Sequence, residues 1–189
     1  MLIWLIKDGE TLPVQPGTRP MRAGMVANEL LETGYSVVWW SSTFPHQRKA
    51  LLYEKDTAIE AKPCFELNLI HAGRYQKKIS LKRYFHHRLL ARKFSEKTRE
   101  KPVPNIIVYA FPTIDLAYEA VIYAKKKNVL VIIDIRDLWP DTFLEKRPKF
   151  RRGILRVLLI QDFQRTKELL RNADSLVPIS KGCLIWGLR

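Results

Sequence analysis

Residues 131–141 read VIIDIRDLWPD, an apolar run that closes on Asp134, Arg136, Asp137, Trp139 and Asp141. Desolvating so much charge costs free energy unless each group is paired. The residue types suit a hydroxylated ligand. Asp137 and Arg136 can polarise or hydrogen-bond hydroxyl groups, and the Trp139 ring can stack on the apolar face of a sugar. The plainer reading is an ion pair that staples the loop, with Trp139 as packing.

A second constellation is PGTRPMRAG at 16–24, between an apolar run and a helical pattern. Free N–H groups at a helix start attract anions. Gly17 lets a ligand approach the backbone, Thr18 follows it, and Arg19 and Arg22 add positive charge. The stretch is neither G-x-G-x-x-G nor a Walker A loop. No D-x-D occurs in the chain, so a metal–diphosphate site of that type is not supported and no metal is assigned. His86 and His87 are adjacent on a helical pattern, point in different directions, and read as surface polar residues. His46 and His71 fall in loops and carry no assignment. Cys64 and Cys183 have no metal or redox spacing and read as small buried thiols of a reducing compartment.

The elements that must position these residues follow from periodicity. Apolar runs at 2–6, 35–42, 105–111, 129–135 and 175–180 read as strands, with two short strands at AIEAKP and FELNLI. Helical patterns cover 21–33, 80–99, 112–127 and 151–172, and another helix opens at KGCLIWGLR. Strands alternating with helices, and strands apolar throughout, predict an α/β fold: a Rossmann-like, doubly wound, mostly parallel sheet with helices on both faces. In such sheets ligands bind at the carboxyl ends of the strands, which is where DIRDLWPD falls. Residues 1–180 form this domain in the reading, and 181–189 begin a helix leading out of it.

The chain has 189 residues and a net charge of +14, and the charge is local. Residues 72–101 hold eleven Lys or Arg against Glu96 and Glu100, and residues 146–161 hold six with no acid. In the first segment Leu81, Phe85 and Leu89 lie four apart, with Leu90 and Phe94 beside them. Lys82, Arg83, Arg88, Arg92 and Lys93 flank that stripe. KRPKFRRGILRVLLI, with Arg151 and Arg152, repeats the arrangement. Both resemble interfacial helices that lie on an anionic membrane surface. The alternative is a pair of domain helices with solvated basic faces. No apolar run approaches a membrane span, and the five-residue apolar start is too short for a signal peptide, so a cytoplasmic protein is expected. The basic balance also suits nucleic-acid binding, but helix-turn-helix, zinc, RRM and KH patterns are missing and no nucleic acid is expected.

RPMRAGMVANELLETGYSVVWWSSTF, DIRDLWPD and SLVPISKGC together resemble the N-terminal half of bacterial family 4 glycosyltransferases of GT-B fold, of the type that builds O-antigen and capsule polysaccharides. The resemblance covers the whole chain, and RDLWP is its most specific piece. It implies an acceptor-side domain that binds a lipid-linked saccharide at the inner face of the cytoplasmic membrane. It also implies a separate donor domain that takes most of a nucleotide-sugar, retention of configuration, and no metal. By resemblance Gly17, Thr18 and Arg19 lie near the donor phosphates and the acceptor. Arg136 and Asp137 are the catalytic candidates, with Asp137 orienting or deprotonating the acceptor hydroxyl. Many relatives carry a histidine in that strand-end loop, and this chain has none there. The family's donor domain carries two glutamates eight positions apart, a spacing this sequence lacks. The expectation is half an enzyme, inactive alone, from a truncated frame or from a split enzyme whose donor domain is a separate chain. A basic nucleic-acid-binding domain and a non-catalytic partner of such a chain are the alternatives.

Overall fold

Short runs of Ile, Val, Leu and Trp become the strands of one sheet. The computed structural model describes residues 1–14, 17, 19–45, 51–75, 80–145 and 147–188. The strands are β1 (Leu2–Ile6), β2 (Ser36–Ser42), β3 (Thr57–Lys62), β4 (Phe65–Ile70), β5 (Ile106–Ala110), β6 (Leu130–Ile135) and β7 (Ser175–Pro178). Their order is β3-β4-β2-β1-β5-β6-β7, parallel except for the β3–β4 hairpin. The α/β, Rossmann-like expectation holds. The hairpin turn places Cys64 at φ 62 and in solvent, which corrects its reading as a buried thiol. A tight turn leaves no core in which to bury it; Cys183 is buried as expected.

Around the sheet run α1 (Arg22–Glu32), α2 (Leu81–Lys97), α3 (Ile114–Lys127), α4 (Asp141–Glu145), α5 (Lys149–Leu158), α6 (Ile160–Arg171) and α7 (Lys181–Gly187). The single helix expected over 151–172 is two, broken at Leu159, where φ −98 and ψ 13 leave the helical region. Neither Gly nor Pro marks that break, so periodicity reads straight through it. What decides it is burial. Thr166 and Leu169 of α6 are buried against the body, whereas no residue of α5 is. The five residues of α4 are too few for a periodic signal.

Alternation along a strand sends neighbours to opposite faces. Trp39 packs with Leu5, Leu12, Ala23, Ala27 and Leu67 on the α1 face, and Trp40 goes to the other. There Trp4, Trp40 and Phe94 meet edge-to-face with ring centroids 5.1–6.3 Å apart, and Tyr123 stacks on Trp4 at 5.0 Å. Aromatic pairs in this geometry add about 0.5–1.5 kcal/mol beyond area burial. α7 closes on the same side, with its Trp186 ring 5.9 Å from Phe111. Trp186 Nε1 donates to Asp141 Oδ2 at 2.7 Å, which ties α7 to the start of α4.

Candidate functional site at the carboxyl ends of the strands

β1 has β2 on one side and β5 on the other, so chain connections leave it in opposite directions. This is the switch point at which open α/β sheets form a crevice. A polar network fills it. Arg136 Nη1 donates to Glu10 Oε1 at 2.6 Å and Arg136 Nε to Asp134 Oδ2 at 2.7 Å. Arg22 Nε reaches the same Asp134 oxygen at 3.0 Å. Asp134 Oδ1 is buried and accepts no hydrogen bond from the described residues.

Glu10 has a second task. α1 begins after Met21, which has no side chain able to cap it, and Ala23 N–H donates to Glu10 Oε2 at 2.9 Å. One of the N–H groups at the helix start expected to hold a ligand's anion is thus taken by the chain's own carboxylate. Lys7 lies beside this cluster. Burial lowers its pKa, and the Arg136 charge lowers it further, against the opposing pull of Glu10, Asp8 and Asp134. The consequence is positional: Glu10 and Asp134 neutralise Arg136 and clamp the end of β6 to α1, which fixes where the next residues point.

Those residues open a separate cleft of about 510 Å³ at the ends of β5 and β6. Its aromatic wall is Tyr84, Trp139 and Phe143, with the Trp139 and Phe143 rings 5.3 Å apart. Its carboxylates are Asp115, Asp137 and Asp162. Thr142 Oγ1 donates to Asp137 Oδ1 at 2.9 Å, which leaves Oδ2 for a ligand. Asp115 is ion-paired to Arg165 at 2.6 Å. Burial raises the pKa of Asp162, the Asp115 charge raises it further, and Arg165 and Arg88 oppose the shift. His87, Arg83 and Arg147 complete the rim. Flat aromatic faces set among carboxylates are the surface that a sugar needs, with C–H faces on the rings and hydroxyl donors on the acids.

The nominated residues therefore divide. Asp137 and Trp139 share the cleft; Arg136, next to them in sequence, turns to Glu10 and Asp134 and does not line it. Arg22 joins the clamp through Asp134. Gly17, at φ 70, and Arg19 are exposed, and Thr18 and His46 lie outside the described residues. His71 packs at the end of β4, where its N–H donates to Asp56 and its carbonyl accepts from Lys93. His86 is not a surface residue, contrary to expectation. It is buried, with Nδ1 against the carbonyls of Ala72 and Gly73, because α2 presents that face to the β4 end.

Within the basic set, Lys82, Arg88 and Arg92 are exposed on α2. Arg92 pairs with Glu96, Lys93 is half-buried against Asp56, and Arg83 lies 5.9 Å over the Tyr75 ring. Leu90 and Phe94 belong to the core, so the expected apolar stripe of α2 divides, and only Leu81, Phe85 and Leu89 stay outside. Sequence reading missed Glu10, Asp115 and Asp162. For Glu10 a signal exists: an acid in the loop before a helix that has no cap of its own.

Neither a known protein family nor a curated protein matches the sequence. Among solved structures, the fold is similar to the catalytic domain of starch synthase IV from Arabidopsis thaliana bound to ADP and acarbose. The TM-score is 0.50 at 12% identity, over 72% of this chain and 34% of that one. A ugt transferase from Siraitia grosvenorii in complex with UDP aligns with 90% of this chain and 34% of its own, at 12% identity and a TM-score of 0.39. The chain thus spans about a third of the length of each. The starch synthase likeness shows a shared Rossmann-like α/β fold.

Proposed function

We propose that the chain is the acceptor-binding half of a retaining glycosyltransferase of GT-B type, related to family 4. The reaction moves a sugar from a nucleotide-sugar to a lipid-linked saccharide in the synthesis of O-antigen or capsule polysaccharide, at the inner face of the cytoplasmic membrane. The cleft carries the reading: rings of Tyr84, Trp139 and Phe143 face Asp115, Asp137 and Asp162 at the carboxyl ends of β5 and β6. In this reading the terminal acceptor sugar lies on Trp139 and its reacting hydroxyl donates to Asp137 Oδ2. The carboxylate then holds that oxygen toward the donor and strengthens its nucleophilicity. The Arg136 clamp positions both residues without touching the sugar. A second Rossmann-like domain, on this chain or another, supplies the diphosphate site and most of the charge stabilisation.

Saccharide binding to the isolated chain tests this, read by intrinsic tryptophan fluorescence and by NMR titration with oligosaccharides of differing terminal sugars. Asp137→Asn keeps the shape and loses a charge-assisted hydrogen bond, so affinity should fall by about tenfold or more. Trp139→Ala should weaken binding at least as much. Wild-type affinity in folded Asp137→Asn would remove the assignment.

A further inference from the structure

The basic residues of α5 line neither the cleft nor the crevice, and of its flanking cations only Arg147 reaches the cleft rim. Phe150, Ile154, Val157 and Leu158 fall at i, i+4, i+7 and i+8 on one face, and are 72%, 65%, 69% and 72% exposed. No residue of α5 is buried. Arg147, Lys149, Arg151, Arg152 and Arg156 run along the same segment, and 146–161 contains no acid. Four of these cations contact the chain itself through uncharged groups: Arg152 donates to the carbonyls of Arg147 and Glu145, and Arg147, Arg151 and Arg156 lie 4.8, 5.3 and 5.5 Å over Phe143, Phe150 and Phe163. None is neutralised by a carboxylate among the described residues. α2 is different. Its deeper apolar residues are in the core, and Lys93 and Arg92 pair with acids.

We infer that α5 is the element that lies on an anionic phospholipid bilayer, with Phe150, Ile154, Val157 and Leu158 in the acyl boundary and the arginines among the headgroups. A protein partner is the poorer occupant, because it would have to supply carboxylates around the whole face of a segment that holds six cations and no acid. A nucleic acid would use the cations and leave the apolar face without a role. The amphipathic arrangement uses both at once on a lipid surface. The placement also has a consequence for the cleft. Arg147 just before α5, and Leu159 just after it, line the cleft. With α5 in the headgroup layer, the cleft opens where a membrane-anchored saccharide presents its terminal sugar. The inference rests on the membrane part of the proposed function and not on the sugar assignment.

Vesicle co-sedimentation decides it, using phosphatidylcholine with and without phosphatidylglycerol, and no saccharide. Wild type should bind the anionic vesicles and release with salt. Ile154→Ser/Val157→Ser should lose about tenfold or more of the binding. Leu81→Ser/Phe85→Ser on α2 should bind as wild type. All four side chains are exposed, and unchanged thermal melts verify the fold of each variant. Absence of wild-type binding, retention by the α5 variant, or loss confined to the α2 variant would each overturn the inference. So would oligonucleotide binding equal in wild type and the α5 variant, with no vesicle binding. Saccharide affinity is read separately, so failure here leaves the cleft assignment standing.

Discussion

Single residues in this chain do different work from their neighbours. Arg136 and Asp137 are adjacent, yet one closes a buried clamp and the other faces a cleft. Removing one partner of a buried pair leaves an uncompensated charge, so Glu10→Ala should destabilise by on the order of 3–5 kcal/mol, part of it from the lost α1 cap. Urea unfolding measures this, and a cost below that of an ordinary surface substitution would show that the clamp is not structural. His86 gives a pH signature. Burial lowers its pKa, and Arg83 lowers it too, while Asp8 and the carbonyls of Gly73 and Ala72 oppose. The folded protein resists protonation that the unfolded chain accepts, so this contribution is complete above pH of about 6.5 and is lost as pH falls through the folded value. Asp56, held below the usual carboxylate range against the cost of its burial by the His71 N–H, Lys97 and Lys93, acts at lower pH still. His86→Asn retains a donor for the two carbonyls and cannot titrate. The slope of stability against pH between about 7 and 5 should flatten in that variant; an unchanged slope would assign it to other groups.

Helix α2 shows what an element adds. Its 17 residues carry apolar side chains on more than one side, and the sequence treats Phe85 and Phe94 as one stripe. Packing separates them: Phe94 sits against Trp4 and Trp40, while Phe85 faces solvent. Phe94→Ala should therefore cost about 3–5 kcal/mol by cavity formation. Phe85→Ser should stay within about 0.5 kcal/mol. Equal effects in thermal or urea unfolding would mean that the register of α2 against the sheet is wrong. For α5 the expectation is a small effect throughout, since Phe150, Ile154, Val157 and Leu158 are all exposed.

For the molecule as a whole, 33 Lys and Arg against 19 Asp and Glu make charge repulsion a general term in stability. The Debye length shrinks from about 30 Å at 0.01 M salt to about 8 Å at 0.15 M. The melting temperature should therefore rise across that range, as screening relieves repulsion among the exposed cations of α2 and α5. A fall would show that ion pairs such as Glu10–Arg136 and Asp56–Lys93 outweigh the repulsion.

The sequence by itself determined the fold class, the seven strands and their alternation with helices along the chain, and the placing of Asp137 and Trp139 at a strand end. These depend on local periodicity and on the order of elements, both of which are written along the chain. The tertiary structure decided which carboxylates meet which arginines. Glu10 finds Arg136 across 126 positions and Asp115 finds Arg165 across 50. It also decided that His86 is buried, that Cys64 is not, and that a continuous helical pattern breaks at Leu159. Each of these outcomes depends on what lies opposite a residue once the sheet has formed, and no spacing within a single element carries that information.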